Sequence, residues 1–205
     1  MKTNDVDMLF HEKRLWQDGY TAIAGVDEAG RGPLCGPVYA AAVIFPNGFF
    51  REEINDSKKL TEKKREALFD IITENAAAWS VASIDAEEID KINILNATHK
   101  AMNLAVNSLA VKPDYVIIDG NSIKGMKVPH ECIVKGDANS MSIAAASILA
   151  KVSRDRYLIE MDRQYPEYGF AQHKGYGTKA HVAALLKYGP CPLHRQTFLK
   201  KILGK

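Results

Sequence analysis

The chain has 205 residues, 46% of them hydrophobic and 25% charged, with 27 basic against 25 acidic side chains. That balance excludes a disordered or fibrous chain, and a net charge of +2 leaves any nucleic-acid binding to local clusters of Lys and Arg. Cys35, Cys132 and Cys191 are odd in number, widely spaced and without a Cys-x-x-Cys pair, which speaks against a disulfide framework or a zinc knuckle and predicts reduced core thiols. The polar N-terminus has no apolar signal region and no run reaches membrane-span length, so a cytoplasmic protein with no membrane attachment is expected.

In chain order, Leu9, Phe10 and Trp16 at helical spacing predict a packing helix over residues 8–18, stopped by Gly19. Residues 23–26 are apolar and bounded by glycine, which predicts a short buried strand with Asp27 and Glu28 at its carboxyl end. A glycine turn follows, then an Ala- and Val-rich strand over 38–45 that forms a hairpin with the first. Thr61 is placed to cap a helix running to about Asn75, with Leu68, Ile71 and Ile72 inside and Lys63, Lys64 and Arg65 on a solvated face. Lys58 and Lys59 precede that helix and are free to point at a ligand instead.

Alternation over 79–84 predicts a third strand, and 89–110 one long helix or two short ones. Residues 115–119 form the strongest strand signal, again ending in an acid, Asp119, and a glycine. A shorter strand over 131–134 leads to Asp137, just before a helix that Ser140 begins and whose first turns are apolar or small almost all round, as a helix buried on a sheet requires. Residues 170–178 read as a glycine-rich loop containing Tyr176, Thr178 as the cap of a helix over 180–187, and the basic tail from His194 as a short helix. With no repeat, low-complexity tract or linker, residues 1–205 are expected to form one domain with a C-terminal helical part from about 165.

Asp27, Glu28, Asp119 and Asp137 come from three separate segments, yet each closes a strand or precedes a helix, the edge where open α/β sheets collect ligands. Hard oxygen donors of this kind suit Mg²⁺ or Mn²⁺. For Asp137 alone, a helix-capping role explains the position equally well. Neighbouring strand residues point to opposite faces, so Asp27 and Glu28 share one site only where the strand ends or bulges. Other chemistries fit less well. Gly30-x-Gly32 resembles part of a dinucleotide fingerprint, but Pro33 and a following strand spoil its context, and neither a Walker lysine nor His-Glu-x-x-His is present. Of the six histidines, His173 and His194 are the two expected near a site, as structural or phosphate contacts.

Together, Gly25-Val-Asp-Glu-Ala-Gly-Arg-Gly-Pro-Leu-Cys-Gly-Pro-Val38, Asn55-Asp-Ser-Lys-Lys-Leu60, Ile117-Ile-Asp-Gly120, Lys135-Gly-Asp137, Ala146-Ser-Ile-Leu-Ala-Lys-Val-Ser-Arg-Asp-Arg156 and His173-Lys-Gly-Tyr-Gly-Thr178 resemble the bacterial ribonuclease HII family. The resemblance implies an α/β, ribonuclease H-like mixed sheet, its first three strands antiparallel and the rest parallel, flanked by helices. It implies that Asp27, Glu28, Asp119 and Asp137 are catalytic and hold two Mg²⁺ or Mn²⁺ ions with substrate bound. It further implies that Gly30, Arg31 and Gly32 contact a ribose 2′-OH and its phosphates, and that Tyr176 packs on the sugar at the RNA-to-DNA junction. Lys58, with Lys59 and Lys135, would grip phosphate. The expected partners are RNA/DNA hybrids and duplex DNA containing ribonucleotides, cut to leave 5′-phosphate and 3′-hydroxyl ends, and the expected state is a monomer. Gly177 stands where many relatives carry proline. Two alternatives remain open at this point: a nuclease of the same fold acting on all-DNA substrates, and a non-catalytic hybrid-binding protein.

Overall fold

The computed structural model describes residues 7–55, 57 and 60–204, so Lys58 and Lys59 lie outside the described residues. Five strands form one sheet in the order β3-β2-β1-β4-β5: β1 Ile23–Ala29, β2 Val38–Ile44, β3 Ala78–Ile84, β4 Tyr115–Asp119 and β5 His130–Ile133. The first three pair antiparallel, and β4 and β5 run parallel to β1. The mixed sheet expected from the sequence is the one observed.

Why β2 reads as an unbroken apolar run is explained by burial on both faces. Ala40, Ala42 and Ile44 join a core formed with α3 Ala86–Ile92 and α4 Ile94–Asn107, whereas Ala41 and Val43 join a core formed with α2 Glu62–Asn75 and α5 Met141–Gln164. Small side chains at the sheet's centre let both helical layers approach closely. Gly25 takes this furthest: a Cβ there would overlap the Ser142 carbonyl carbon and stand 2.5 Å from Ile143 N. Side-chain caps fall where hydroxyls were expected, Thr61 accepting from Lys64 N, Ser140 from Ile143 N and Thr178 from His181 N.

Three expectations change, and one open alternative is decided. In α1, Phe10–Gln17, Phe10 is 59% exposed, and the buried positions are Glu12 and Leu15. Glu12 is buried because its carboxylate accepts from Ser140 Oγ at 2.7 Å and Ser142 N at 3.1 Å, at the positive end of α5. The segment 89–110 divides into α3 and α4 because Asn93, at φ 65° and ψ 163°, leaves the helical conformation and then caps α4 by accepting from Asn96 N. The loop over 170–178 starts with a helical turn, α6 Phe170–His173, between left-handed Gly169 and Lys174. Cys35 and Cys191 are buried free thiols as expected, but Cys132, on edge strand β5, is only half-buried.

Beyond α5, α6 and α7 Lys179–Tyr188 pack around a separate apolar cluster of Cys35, Leu158, Tyr168, Phe170 and Cys191, whereas Phe198 of α8 Gln196–Leu203 packs against the core under α3 and α4. Asp90 holds α8 in place, accepting from the main-chain N–H groups of Gln196 and Thr197. Among the described residues no helix is long and apolar enough to cross a membrane.

Candidate active site

The first strand does not end before its acids. It continues through Asp27 and Glu28 to Ala29, paired throughout with β2, while its pairing with β4 stops at Val26 opposite Ile118. Alternation therefore sends Asp27 to the α5 side with Gly25, and Glu28 to the α4 side with Ala24 and Val26. The gap left where β4 stops is what lets both acids face common space. Asp27, Glu28 and Asp119 line one open cavity of about 260 Å³ together with Gly30, Arg31 and Gly32.

Asp27 is 3% exposed. It accepts from Glu28 N at 2.7 Å and from the Ser147 hydroxyl, and Ser57 Oγ lies 2.9 Å from Ser147 Oγ. Because the Ser147 proton is committed to Asp27, Ser57 is the donor to Ser147. Both groups donating to the carboxylate are neutral. Burial, followed by the negative charge of Glu28 and Asp119, pushes the Asp27 carboxyl well above the usual carboxylate range. Such a site favours either a proton or a cation, and its donors, all oxygens, fit a hard divalent ion.

Asp119 Oδ1 accepts from Gly136 N at 2.6 Å. The turn Gly136–Ala138 packs closely here, and a Cβ on Gly136 would stand 2.6 Å from Ile143 Cδ1 and displace that side chain. Asp137, 4% exposed, follows in the same turn and does not line the cavity. Tyr176, 45% exposed, lines it from the C-terminal side, with Lys151 Nζ 5.8 Å and the Arg154 guanidinium 6.0 Å from its ring centroid.

The loop from Gly30 to Pro37 is bound from within by two fully buried arginines. Arg154 donates to the carbonyls of Cys35, Pro37 and Lys174, and Arg195 to those of Gly30, Arg31, Pro33 and Gly36. Gly30 has φ +94°, and a Cβ on it would overlap the Arg154 side chain. Gly32 differs: beyond its chain neighbours nothing lies within 4 Å of where its Cβ would stand, so the space its bareness leaves belongs to whatever enters the cavity.

Tyr176 rests on three histidines whose tautomers follow from fixed main-chain partners. The Tyr176 carbonyl can only accept, so His181 donates from Nδ1 and accepts at Nε2. Cys191 N–H can only donate, so His194 accepts at Nδ1 and donates from Nε2 to His181 Nε2, 3.1 Å away. His173 stacks on His181 at 4.3 Å, accepts from Gly175 N and donates to the Tyr168 carbonyl. Cys35, His181 and His194 have possible metal-binding atoms within 4.8 Å of one another, but every histidine nitrogen here is already engaged. The cluster is a hydrogen-bond relay. His194 thus has the structural role expected of it, away from phosphate, and the buried His181 was not anticipated.

Burial, and then the neighbouring His181, lower His194 from 6.5 to about 4. Its neutral form therefore contributes stability in full above pH 6.5, and that contribution is lost as pH falls towards 4, by about 3 kcal/mol at most. Thermal melts of the wild type and His194→Gln between pH 4 and 7 check this. The difference between them should shrink as pH falls; a constant difference would refute the relay.

Sequence reasoning missed Ser57, Arg65, Ser147 and Lys151, which line the cavity, and Arg154 and Arg195 behind it. Arg65, expected on a solvated face, donates to the carbonyls of Ser57 and Leu60. The signal for three of the others was present: Ser147, Lys151 and Arg154, at i, i+4 and i+7, form a polar stripe leading out of first turns that are otherwise apolar or small. Lys151 pairs with Asp155 at 2.7 Å, yet burial lowers its pKa.

Residues 24–201 match the family model for ribonuclease HII. A ribonuclease HII from Acetivibrio thermocellus is 56% identical over 198 residues, covering 97% of this chain and 77% of that protein. The crystal structure of ribonuclease H2 from Pyrococcus horikoshii OT3 superposes with a TM-score of 0.75 at 28% identity, covering 88% of this chain and 96% of the other. The fold is also shared, at 18% identity and a TM-score of 0.67, by Bst-RNase HIII solved in complex with Mn²⁺, over 90% of this chain and 70% of that one. With a buried acid, two further acids and a glycine loop gathered at one end of the sheet, the chain belongs to the ribonuclease HII family of endoribonucleases, which act on the RNA of RNA/DNA hybrids.

Proposed function

We propose that this enzyme is divalent-metal dependent and, besides cutting the RNA strand of hybrids, incises at single ribonucleotides embedded in duplex DNA, leaving 5′-phosphate and 3′-hydroxyl ends. The observation that carries this is the buried Asp27 carboxyl, gathered with Glu28 and Asp119 on a cavity that the Gly30–Gly32 loop also lines. A non-catalytic binder of nucleic acid gains nothing from negative charge placed beside phosphate. The relative solved with Mn²⁺ has the same fold, which supports Mg²⁺ or Mn²⁺ here.

Asp27, Glu28, Asp119 and Asp137 would hold the ions. When bound, such ions supply a nucleophile at neutral pH and stabilise charge on the leaving oxygen. The chain's own residues do the rest. Ser147 and Ser57 orient the Asp27 carboxyl, and the Gly136 amide orients that of Asp119. Arg31 and Gly32 amides meet the ribose 2′-OH, the group that separates RNA from DNA, at a loop where Gly32 leaves room for it. Tyr176 supplies a face for the sugar, and Lys151 and Arg65, with Arg31, place positive charge along the phosphates. In this reading the protein acts as a monomer.

The test is a duplex with one ribonucleotide, incubated with Mg²⁺ or Mn²⁺, beside its all-DNA counterpart. Cleavage of the first alone is expected. An uncut ribonucleotide duplex overturns the proposal, and equal cleavage of both would favour the all-DNA nuclease.

A further inference from the structure

Arg195 is 0% exposed, and its guanidinium hydrogen bonds all end on main-chain carbonyls: Gly30 at 2.6 Å, Arg31 and Pro33 at 2.9 Å, and Gly36 at 2.8 and 3.0 Å. A buried cation whose hydrogen bonds all go to neutral dipoles is a costly choice for stability alone. Burial, and then the charge of Arg154, lower its pKa to about 9. A feature of this cost points to a functional demand on the loop it holds.

Peptide planarity says what that demand is. Within one peptide unit the C=O of a residue and the N–H of the next point in opposite directions. Drawing the carbonyls of Gly30 and Arg31 inward onto Arg195 therefore turns the amides of Arg31 and Gly32 away from the core, on the stretch that lines the acid cavity. Arg154 packs against Gly30 but donates to later carbonyls, those of Cys35 and Pro37, and to neither of these two. Only a planar, five-donor group can span four carbonyls at once; a lysine ammonium has three donors radiating from one point.

We infer that Arg195 is a positioning residue for ribonucleotide selectivity, its buried guanidinium fixing the Arg31 and Gly32 amides as a paired donor site for the ribose 2′-OH and the adjoining phosphate. The inference rests on the proposed incision at embedded ribonucleotides and adds the residue that shapes the reader. It also separates two roles within the arginine pair: Arg195 sets selectivity, whereas Arg154 supports the loop's far end.

The experiment compares wild type, Arg195→Lys and Arg154→Lys. Binding is read by fluorescence anisotropy in Ca²⁺ with a duplex carrying one central ribonucleotide and with its all-DNA counterpart, cleavage in Mn²⁺, and Mn²⁺ binding by calorimetry. Arg195→Lys should bind Mn²⁺ as wild type does, lose the binding preference for the ribonucleotide duplex, and cut it on the order of 100-fold less efficiently. Arg154→Lys should keep the preference, even with a lower melting temperature. Full selectivity in a folded Arg195→Lys overturns the inference, as does equal loss in both variants, the mark of a merely structural role. Should Arg195→Lys not fold, the wild type still decides: its Arg31 and Gly32 amide resonances should shift with the ribonucleotide duplex and not with the all-DNA one, and unmoved resonances overturn the inference. Failure of the wild type to cut the ribonucleotide duplex defeats the parent proposal instead.

Discussion

Asp27→Asn should lower turnover by a factor on the order of 1,000 or more while leaving the fold intact, because it removes a charge that only a bound cation rewards. Asparagine is nearly isosteric and retains an oxygen to accept from Glu28 N and Ser147. Without metal the variant should be at least as stable as wild type, since it no longer sets a buried carboxylate against Glu28 and Asp119. Adding Mn²⁺ should then raise the melting temperature of wild type much more than that of Asp27→Asn, by mass action on the folded state. Asp119→Asn should behave alike in turnover, its amide oxygen still able to accept from Gly136 N. Retained turnover in either variant would move the metal site elsewhere, and a metal-free Asp27→Asn that melts far below wild type would contradict the account of Asp27 as electrostatically strained.

Gly25→Ala should be the most damaging single-methyl change in the chain. The added carbon would overlap Ser142 and crowd Ile143 N, main-chain atoms at the start of α5. Neither side yields easily. β1 is bonded on both edges, to β2 and β4, and the first turn of α5 is fixed by Ser140 and the buried Glu12. A loss of about 4 kcal/mol, roughly 12 °C in melting temperature, is expected. Because α5 also carries Ser147 and Lys151, displacing it should reduce activity in whatever fraction remains folded. Gly32→Ala is the matching control: with open space at that position, stability should stay within about 0.5 kcal/mol of wild type while cleavage suffers. A Gly25→Ala protein melting within about 2 °C of wild type would show that the sheet and helix can separate at little cost.

Much of the molecule was legible because its signals are local. The apolar runs of β2 and β4, the hydroxyl caps at Thr61, Ser140 and Thr178, and acids placed where strands stop are each written within a few residues. What escaped depends on distant partners. Nothing near Asp27 tells that β2 extends β1 to Ala29 while β4 stops short, the difference that opens the cavity. An arginine in a basic tail reads as solvated charge, yet Arg195 is buried because four loop residues, Gly30, Arg31, Pro33 and Gly36, present their carbonyls to it. Nothing within a few residues of His181 signals that His173 stacks on it and His194 bonds to it.

Gly30 and Arg195 are 165 positions apart, so the loop that would tell ribose from deoxyribose takes its shape only after the segment carrying Arg195 is in place. Contacts spanning such a distance close late, since the intervening polypeptide must first be ordered. A nascent protein emerging from the ribosome would thus assemble its acids before its means of choosing a target.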